Sequence, residues 1–256
     1  MICSVTGPAQ RQEFDRRIAG RPYFEATMGT HCALFGAHPA SGWQFCLLPG
    51  TAALALRGGT ATVCGVLPEG ETGDDAREEL AGFLRFLGVD RLVAAPAPPA
   101  RLARGGTAAA VGTSPGPRAA AAARPAAGTA AGGTAAHAAG EPPGIPRKPG
   151  RTGGLLLPAC TALAHGFGVC RTLWAGERPV CTVGCYEQSG GEAYLSAGVT
   201  APDWRGRGLA SWLIVGLADD LAAARTVRFA CAPALGPFYD RLGFAEAGAL
   251  LQFTRK

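Results

Sequence analysis

Apolar and polar positions alternate in two recognisable rhythms along this chain, and each rhythm occurs twice in the same order. In "DDAREELAGFLRFLG" Leu80, Phe83, Leu84 and Leu87 fall at i, i+3, i+4 and i+7, acids fill the first turn, and Gly88 stands where a helix would stop. This predicts an amphipathic helix. Ahead of it "AALALRGGTATVCG" reads as two strands around the turn Arg57-Gly58-Gly59, and after it "VDRLVAA" reads as a third strand. Later in the chain "VCRTLWAGERPVCTVGCYE" reads as a hairpin, "EAYLSAGVT" as a strand, "GLASWLIVGLADDLAAA" as a helix and "TVRFACA" as a strand. Leu209, Leu213, Leu217 and Leu221 line one side of that second helix. The shared order of strand, strand, helix, strand suggests two copies of one unit, although no residue identity between the halves supports it.

Between the halves the pattern collapses. Residues 96–152 are mostly Ala, Gly, Pro, Thr and Arg, with almost nothing large and apolar to offset the entropy of ordering, so they are expected to be a linker. The expected organisation is a region 1–95, that linker, and a domain 153–256, within an α/β (α+β) protein with a mixed sheet. Of the formal net charge of +5, residues 96–151 carry +6, through seven basic residues against Glu141 alone. The remainder is thus near neutral, so no nucleic-acid partner is expected. The first residues lack a signal peptide's basic start and apolar core, and no stretch of about 20 apolar residues follows. A cytoplasmic protein without a membrane partner is the expectation. Nine cysteines without any C-x-x-C pairing read as reduced, mostly buried thiols, with no disulfide framework and no metal site. Cys181, Val183 and Cys185 alternate along one strand as a core face does. His31, His38, His137 and His165 have no partner at ligand or triad spacing and read as packing residues.

One junction concentrates chemistry. In "TAPDWRGRGLASWLI" two arginines and two glycines lie between a predicted strand and a predicted helix. A helix start leaves its first N–H groups without intrahelical partners and carries partial positive charge, which makes it an anion site. Gly206 and Gly208 permit close approach to the backbone, and Arg205 and Arg207 add charge. The stretch lacks the lysine of a P-loop and the third glycine of a dinucleotide fingerprint.

Arg205-Gly206-Arg207-Gly208-Leu209-Ala210 matches R-x-x-G-x-A, and the wording around it resembles the pyrophosphate-binding segment of the GNAT superfamily of acyl-CoA N-acyltransferases. About 30 residues on, "GPFYDRLGF" resembles that family's F-Y-x-x-x-G-F element and makes sense as a short helix. The likeness covers 153–256; for 1–95 it is one of element order only. What the resemblance implies is acetyl transfer from acetyl-CoA, as cosubstrate, to a primary amine of a small molecule or peptide, in a monomer or homodimer and without a metal. Gly198, Val199 and Thr200 would offer backbone to the pantetheine arm and acetyl carbonyl. Arg205, Gly206, Arg207, Gly208, Leu209, Ala210 and Ser211 would hold the pyrophosphate. Strands 193–200 and 226–231 would splay apart around the cosubstrate, and Tyr239 would face the CoA sulfur as catalytic acid. Glu187 is available as a base, without any spacing to identify it. The family's asparagine before the tyrosine is absent from "CAPALGPFY". Before the linker, "VLPEGETGDDAREEL" puts acids where phosphates need donors, so that half is not expected to bind CoA. An acyl-CoA-binding sensor or interaction module without turnover is the competing function.

Overall fold

A computed structural model describes residues 1–95, 107–113 and 153–254. The first half runs β1 (Cys3–Ser4), α1 (Pro8–Ile18), α2 (Phe24–Phe35), β2 (Gln44–Leu47), β3 (Ala53–Arg57), β4 (Thr60–Cys64), α3 (Glu71–Phe86), β5 (Arg91–Ala94) and β6 (Thr107–Thr113). The second runs α4 (Gly153–Ala164), β7 (Val169–Ala175), β8 (Arg178–Ser189), β9 (Glu192–Thr200), α5 (Leu209–Ala222), β10 (Thr226–Cys231), α6 (Gly236–Arg241) and β11 (Ala245–Thr254). The β3–β4 turn is built on Gly58 and Gly59, both at positive φ (52° and 76°), the conformation that lets a two-residue hairpin follow the strand twist.

These strands form one continuous sheet in the order β1-β2-β3-β4-β5-β11-β6-β10-β9-β8-β7. Apart from the short β1, that order is a palindrome. β2, β3, β4, β5 and β6 of the first half mirror β7, β8, β9, β10 and β11 of the second, and α3 corresponds to α5 as the crossover between two parallel strands. The last strand of each half is exchanged: β11 pairs with β5 of the first half, β6 pairs with β10 of the second, and the two pair with each other at the centre. Two copies of one unit are therefore visible in topology, and neither closes its sheet alone.

Part of the stretch expected to be a linker is strand. Residues 107–113 are a central strand, antiparallel to β10 on one side and to β11 on the other. Four of the seven residues of Thr107–Thr113 are Ala or Gly, which strands disfavour. A strand bonded on both edges takes its stability from two ladders of backbone hydrogen bonds, which composition does not report. The rest of the expected linker, 96–106 and 114–152, lies outside the described residues.

Each face of the second half is covered by a different helix. Leu213, Leu217 and Leu221 of α5 bury against Cys181, Val183, Cys185, Ala193, Leu195, Val227 and Phe229. Leu217 and Val227 are almost wholly enclosed, each contributing on the order of 1.5–3 kcal/mol by burial. The opposite face of β8 and β9 is covered by α2 from the first half. Gly29 makes that contact close: a Cβ there would lie 2.4 Å from Ser189 Oγ. The first half has its own apolar clusters, and Leu250 of β11 sits within one of them beside Phe14, Met28 and Phe45. Leu80, Phe83 and Leu84 of α3, with Leu87 just after it, pack on another, as their spacing predicts.

Candidate functional site

β9 and β10 are hydrogen-bonded at only three parallel positions, Thr226↔Glu192, Val227↔Ala193 and Arg228↔Tyr194. β9 then continues to Thr200 and β10 to Cys231 without pairing, while β10 turns its other edge to β6. A wedge opens between the two strands, with unpaired backbone along the β10-facing edge of β9. Two departures from register shape it. Thr182↔Val199 is followed by Gly184↔Ser196, so β9 carries one extra residue at Ala197–Gly198, a bulge beside the opening. Below it, Cys185↔Leu195 is followed by Glu187↔Tyr194, so β8 carries an extra residue at Tyr186. This second bulge reverses the alternation of β8, turning Glu187 to the face of Tyr194 and α2 although Cys181, Val183 and Cys185 face α5.

The predicted anion site stands at the top of the wedge. Gly208 caps α5 in a left-handed conformation (φ 73°), and Gly206 has the same φ. A Cβ at either glycine would meet nothing within 4 Å, so the approach to this backbone is open. The amides of Gly206 to Ser211 have no acceptor among the described residues. Arg205, Gly206, Arg207 and Gly208 are exposed, and Leu209, Ala210 and Ser211 are half-buried as the helix enters the core. Arg205 Nε donates to the Thr200 carbonyl at 3.2 Å, and Arg207 donates to the Asp203 carbonyl at 3.1 Å while its guanidinium lies over the Trp204 ring. Both cations are thus held beside the helix start. Gly198 and Val199 are exposed on the bulged end of β9, and the Thr200 hydroxyl is 3.2 Å from Cys181 Sγ.

Tyr239 is carried by α6, which follows β10. Its ring is half-buried on Phe229 (centroids 4.0 Å apart), flanked by Phe238 and Phe244. Burial, with the Cys231 thiol nearby, raises its pKa above the ordinary phenol value, so at neutral pH it is a protonated donor. A negative charge on Tyr239 would be felt at Tyr194, at the base of the wedge.

On the α2 face lies a group that sequence spacing left unassigned. Glu187 is 7% exposed, with the Ser196 hydroxyl and the Tyr186 N–H beside its carboxyl. Burial pushes the Glu187 carboxyl up to about 7, against a smaller downward pull from the Ser196 hydroxyl. His31 of α2 lies with Nε2 4.0 Å from Glu187 Oε1, beyond hydrogen-bond reach, and stacks on Phe35 and Trp43, in keeping with its reading as a packing residue. Tyr23, which caps α2, packs edge-on against Tyr194 at 5.1 Å. It is the one non-glycine at positive φ among the described residues (72°), a conformation tolerated where surrounding structure imposes it. Among the described residues no cluster of metal-ligating side chains is found, and no helix is long and apolar enough to cross a membrane.

No family model and no curated protein matches the sequence. Solved structures do. A GCN5-related N-acetyltransferase from Kribbella flavida superposes with a TM-score of 0.58 at 13% identity, over 92% of this chain and 96% of that one. A tandem GNAT protein from the clavulanic acid biosynthesis pathway gives 0.55 at 14% identity, over 99% and 97%. A GNAT-family acetyltransferase from Colwellia psychrerythraea gives 0.52 at 13% identity, over 100% of both. Each likeness spans both halves, as the palindromic sheet requires. The chain therefore has the GNAT superfamily fold, with two GNAT-like halves on one sheet.

Proposed function

We propose that the second half binds acetyl-CoA across the wedge between β9 and β10 and transfers its acetyl group to a primary amine by direct attack. One coincidence carries this reading: the strands part at the same end of the sheet at which α5 presents an open, glycine-lined start with unpaired amides. A pyrophosphate fits there because amides, helix dipole and two arginines all favour an anion and no side chain obstructs it. The pantetheine arm would then run down the wedge beside Gly198, Val199 and Thr200, using the backbone edge of β9 that β10 leaves unpaired.

Attack by an amine nitrogen on the thioester carbon forms a C–N bond and breaks the C–S bond. It requires donors for the developing oxyanion and a proton for the departing thiolate. The bulged backbone around Val199 is suited to the first role. Tyr239, kept protonated by its aromatic surroundings, is suited to the second.

A thermal melt with and without acetyl-CoA tests the binding step. Ligand at 100 times its Kd adds about 2.7 kcal/mol to the folded state. A clear upward shift that is lost in Arg205→Glu/Gly208→Glu is expected; no shift, or one that survives in that variant, overturns the placement.

A further inference from the structure

We propose that Tyr194, backed by Tyr23 of the first half, floors the wedge between β9 and β10 and restricts the transferred group to acetyl, excluding longer acyl chains. The inference rests on the acyl-transfer reading and adds to it the residues that set the size of the acyl group.

The ring stands at the narrow end of the split. Tyr194 and Arg228 form the last paired position, and above them β9 runs on to Thr200 unpaired on this edge. Leu195 belongs to the α5-facing core, so its neighbour Tyr194 points to the opposite face, where it meets Tyr23 edge-on with centroids 5.1 Å apart. Its hydroxyl reaches across to β10. Thr226 N–H donates to the Gly191 carbonyl at 2.7 Å, and by the alternation of a strand the N–H groups of Arg228 and Ala230 turn to the same edge. Ala230 is the first of these beyond the paired positions, and its N–H lies beside the Tyr194 hydroxyl. The side chain thus closes the gap at the level where the backbone ladder stops.

The floor is braced on two sides. Beneath it on the same face, the Arg228 guanidinium donates to both oxygens of Glu192 at 2.5 and 3.0 Å. Behind it stands Tyr23, whose carbonyl accepts from the Thr27 hydroxyl at 2.8 Å and from the Thr27 N–H at 3.0 Å, and whose ring meets Phe24 edge-on at 5.2 Å. A bulky residue holds a φ of 72° only where its surroundings impose it, and here that conformation places a ring of the first half against the floor of the second half's wedge. Above the ring the side chains on this face are small, Ser196 of β9 and Ala230 of β10. Small residues above and a braced ring below make a slot that ends.

The thioester arrives at this floor. From Leu195 to Thr200 the unpaired edge of β9 runs for about 20 Å, along which an extended pantetheine arm lies. Tyr239, on the α5 side, is near enough for its charge to be felt at Tyr194, so the sulfur that Tyr239 serves, and the acyl carbon bonded to it, lie over the Tyr194 ring. An acetyl methyl rests on the ring; each further methylene has to displace it and the Tyr23 ring behind it, and overpacking of that kind is penalised. Tyr194 acts by size, not by charge. Burial and the neighbouring Tyr23 raise its pKa, so it stays a neutral phenol and takes no part in the proton transfers.

The test is isothermal titration of the full chain with acetyl-CoA, butyryl-CoA and hexanoyl-CoA. Expected is a Kd for hexanoyl-CoA at least about tenfold weaker than for acetyl-CoA, with butyryl-CoA between them. Tyr194→Ala should abolish that ratio, Tyr194→Phe, which keeps the ring, should retain it, and Tyr23→Ala, which removes the backing, should reduce it part-way. A merely structural Tyr194 would weaken all three ligands alike. Equal affinities in the native chain, a ratio that survives in Tyr194→Ala, or one lost in Tyr194→Phe overturns the proposal. Tyr194→Val, better suited to a strand, is the second variant should the alanine form not fold, and if neither folds the native series decides alone. Absence of binding by all three thioesters would defeat the cosubstrate reading and this inference with it, whereas equal binding defeats the acyl limit alone.

Discussion

The two halves make the same strand-loop-helix junction and use it in opposite ways. In the second half β9 and β10 part after three paired positions and α5 begins in the open. In the first half β4 and β5 stay paired at four positions, leaving only Cys64 of β4 beyond them. The loop then folds down on the sheet. Thr51 N–H donates to the Val66 carbonyl at 3.1 Å, and a Cβ on Gly65 would lie 2.4 Å from the Thr51 carbonyl oxygen. Gly73, in the first turn of α3, is covered by the Pro68 carbonyl, which a Cβ there would approach to 2.0 Å. Acids at Glu71 and Asp74 complement the helix dipole from within the chain. One helix start is satisfied by its own loop; the other is left open beside a split sheet, at the place proposed for the ligand.

Below the split lies a part-buried ion pair. Arg228 of β10 donates to both oxygens of Glu192 of β9 (Nε–Oε2 2.5 Å, a second bond of 3.0 Å to Oε1), one level below the opening. In the first half the position equivalent to Arg228 is Val93, opposite Thr62, and Thr60 stands where Glu192 does, so that half has no such pair at this level. Arg228→Met leaves the Glu192 carboxylate, 6% exposed, without its cation. It should cost about 3–5 kcal/mol of stability in a urea melt, most of it regained in Arg228→Met/Glu192→Leu. A loss below about 1 kcal/mol would put this pair on the scale of a surface contact.

The chemical side of the contrast rests on Tyr239. Its ring follows β10 into the aromatic cluster of Phe229, Phe238 and Phe244. Tyr239→Phe keeps that packing and removes only the hydroxyl. Turnover of an amine acceptor should fall by about a hundredfold, the lower range for a lost general acid, while the acetyl-CoA melting shift stays as in the native protein. Loss of that shift would make the hydroxyl a binding group. Unaltered turnover would leave the second half with a binding role and some other proton donor.

The elements that carry this contrast differ in how legible they are from sequence. Strands β3, β4, β5 and β7 to β10 and helix α5 follow periodicity within a residue or two, because each buries one face, while α3 begins three residues before the expected stretch, at Glu71, and α6 ends near Gly243 at positive φ. The segment 205–211 proposed to take an anion is equally local, since two glycines and a helix start define it. β6 is not local: its seven residues are strand only because β10 and β11 flank it. Glu187 is hidden for a related reason. Counting by twos from Cys181 puts it on the core face with Cys185, and only the bulge at Tyr186 turns it toward His31. His31 in turn lies 156 positions earlier in the chain, on a helix of the other half, a distance that no spacing rule spans.

The smallest effect tests the closed junction itself. If Glu71 stands in for the anion that the second half leaves to a ligand, Glu71→Gln should cost about 0.3–1 kcal/mol, as expected of a first-turn acid, and the loss should shrink with added salt. Because the loop from Gly65 to Gly70 covers α3 whatever the charge at its start, neutralising that acid should create no new anion site, and the acetyl-CoA shift should match the native protein's. A second ligand-dependent shift in Glu71→Gln, persisting when Arg205 and Gly208 are also replaced, would mean that charge alone had kept the first half closed. The difference between the halves would then lie in one side chain at a helix start rather than in how far two strands stay paired.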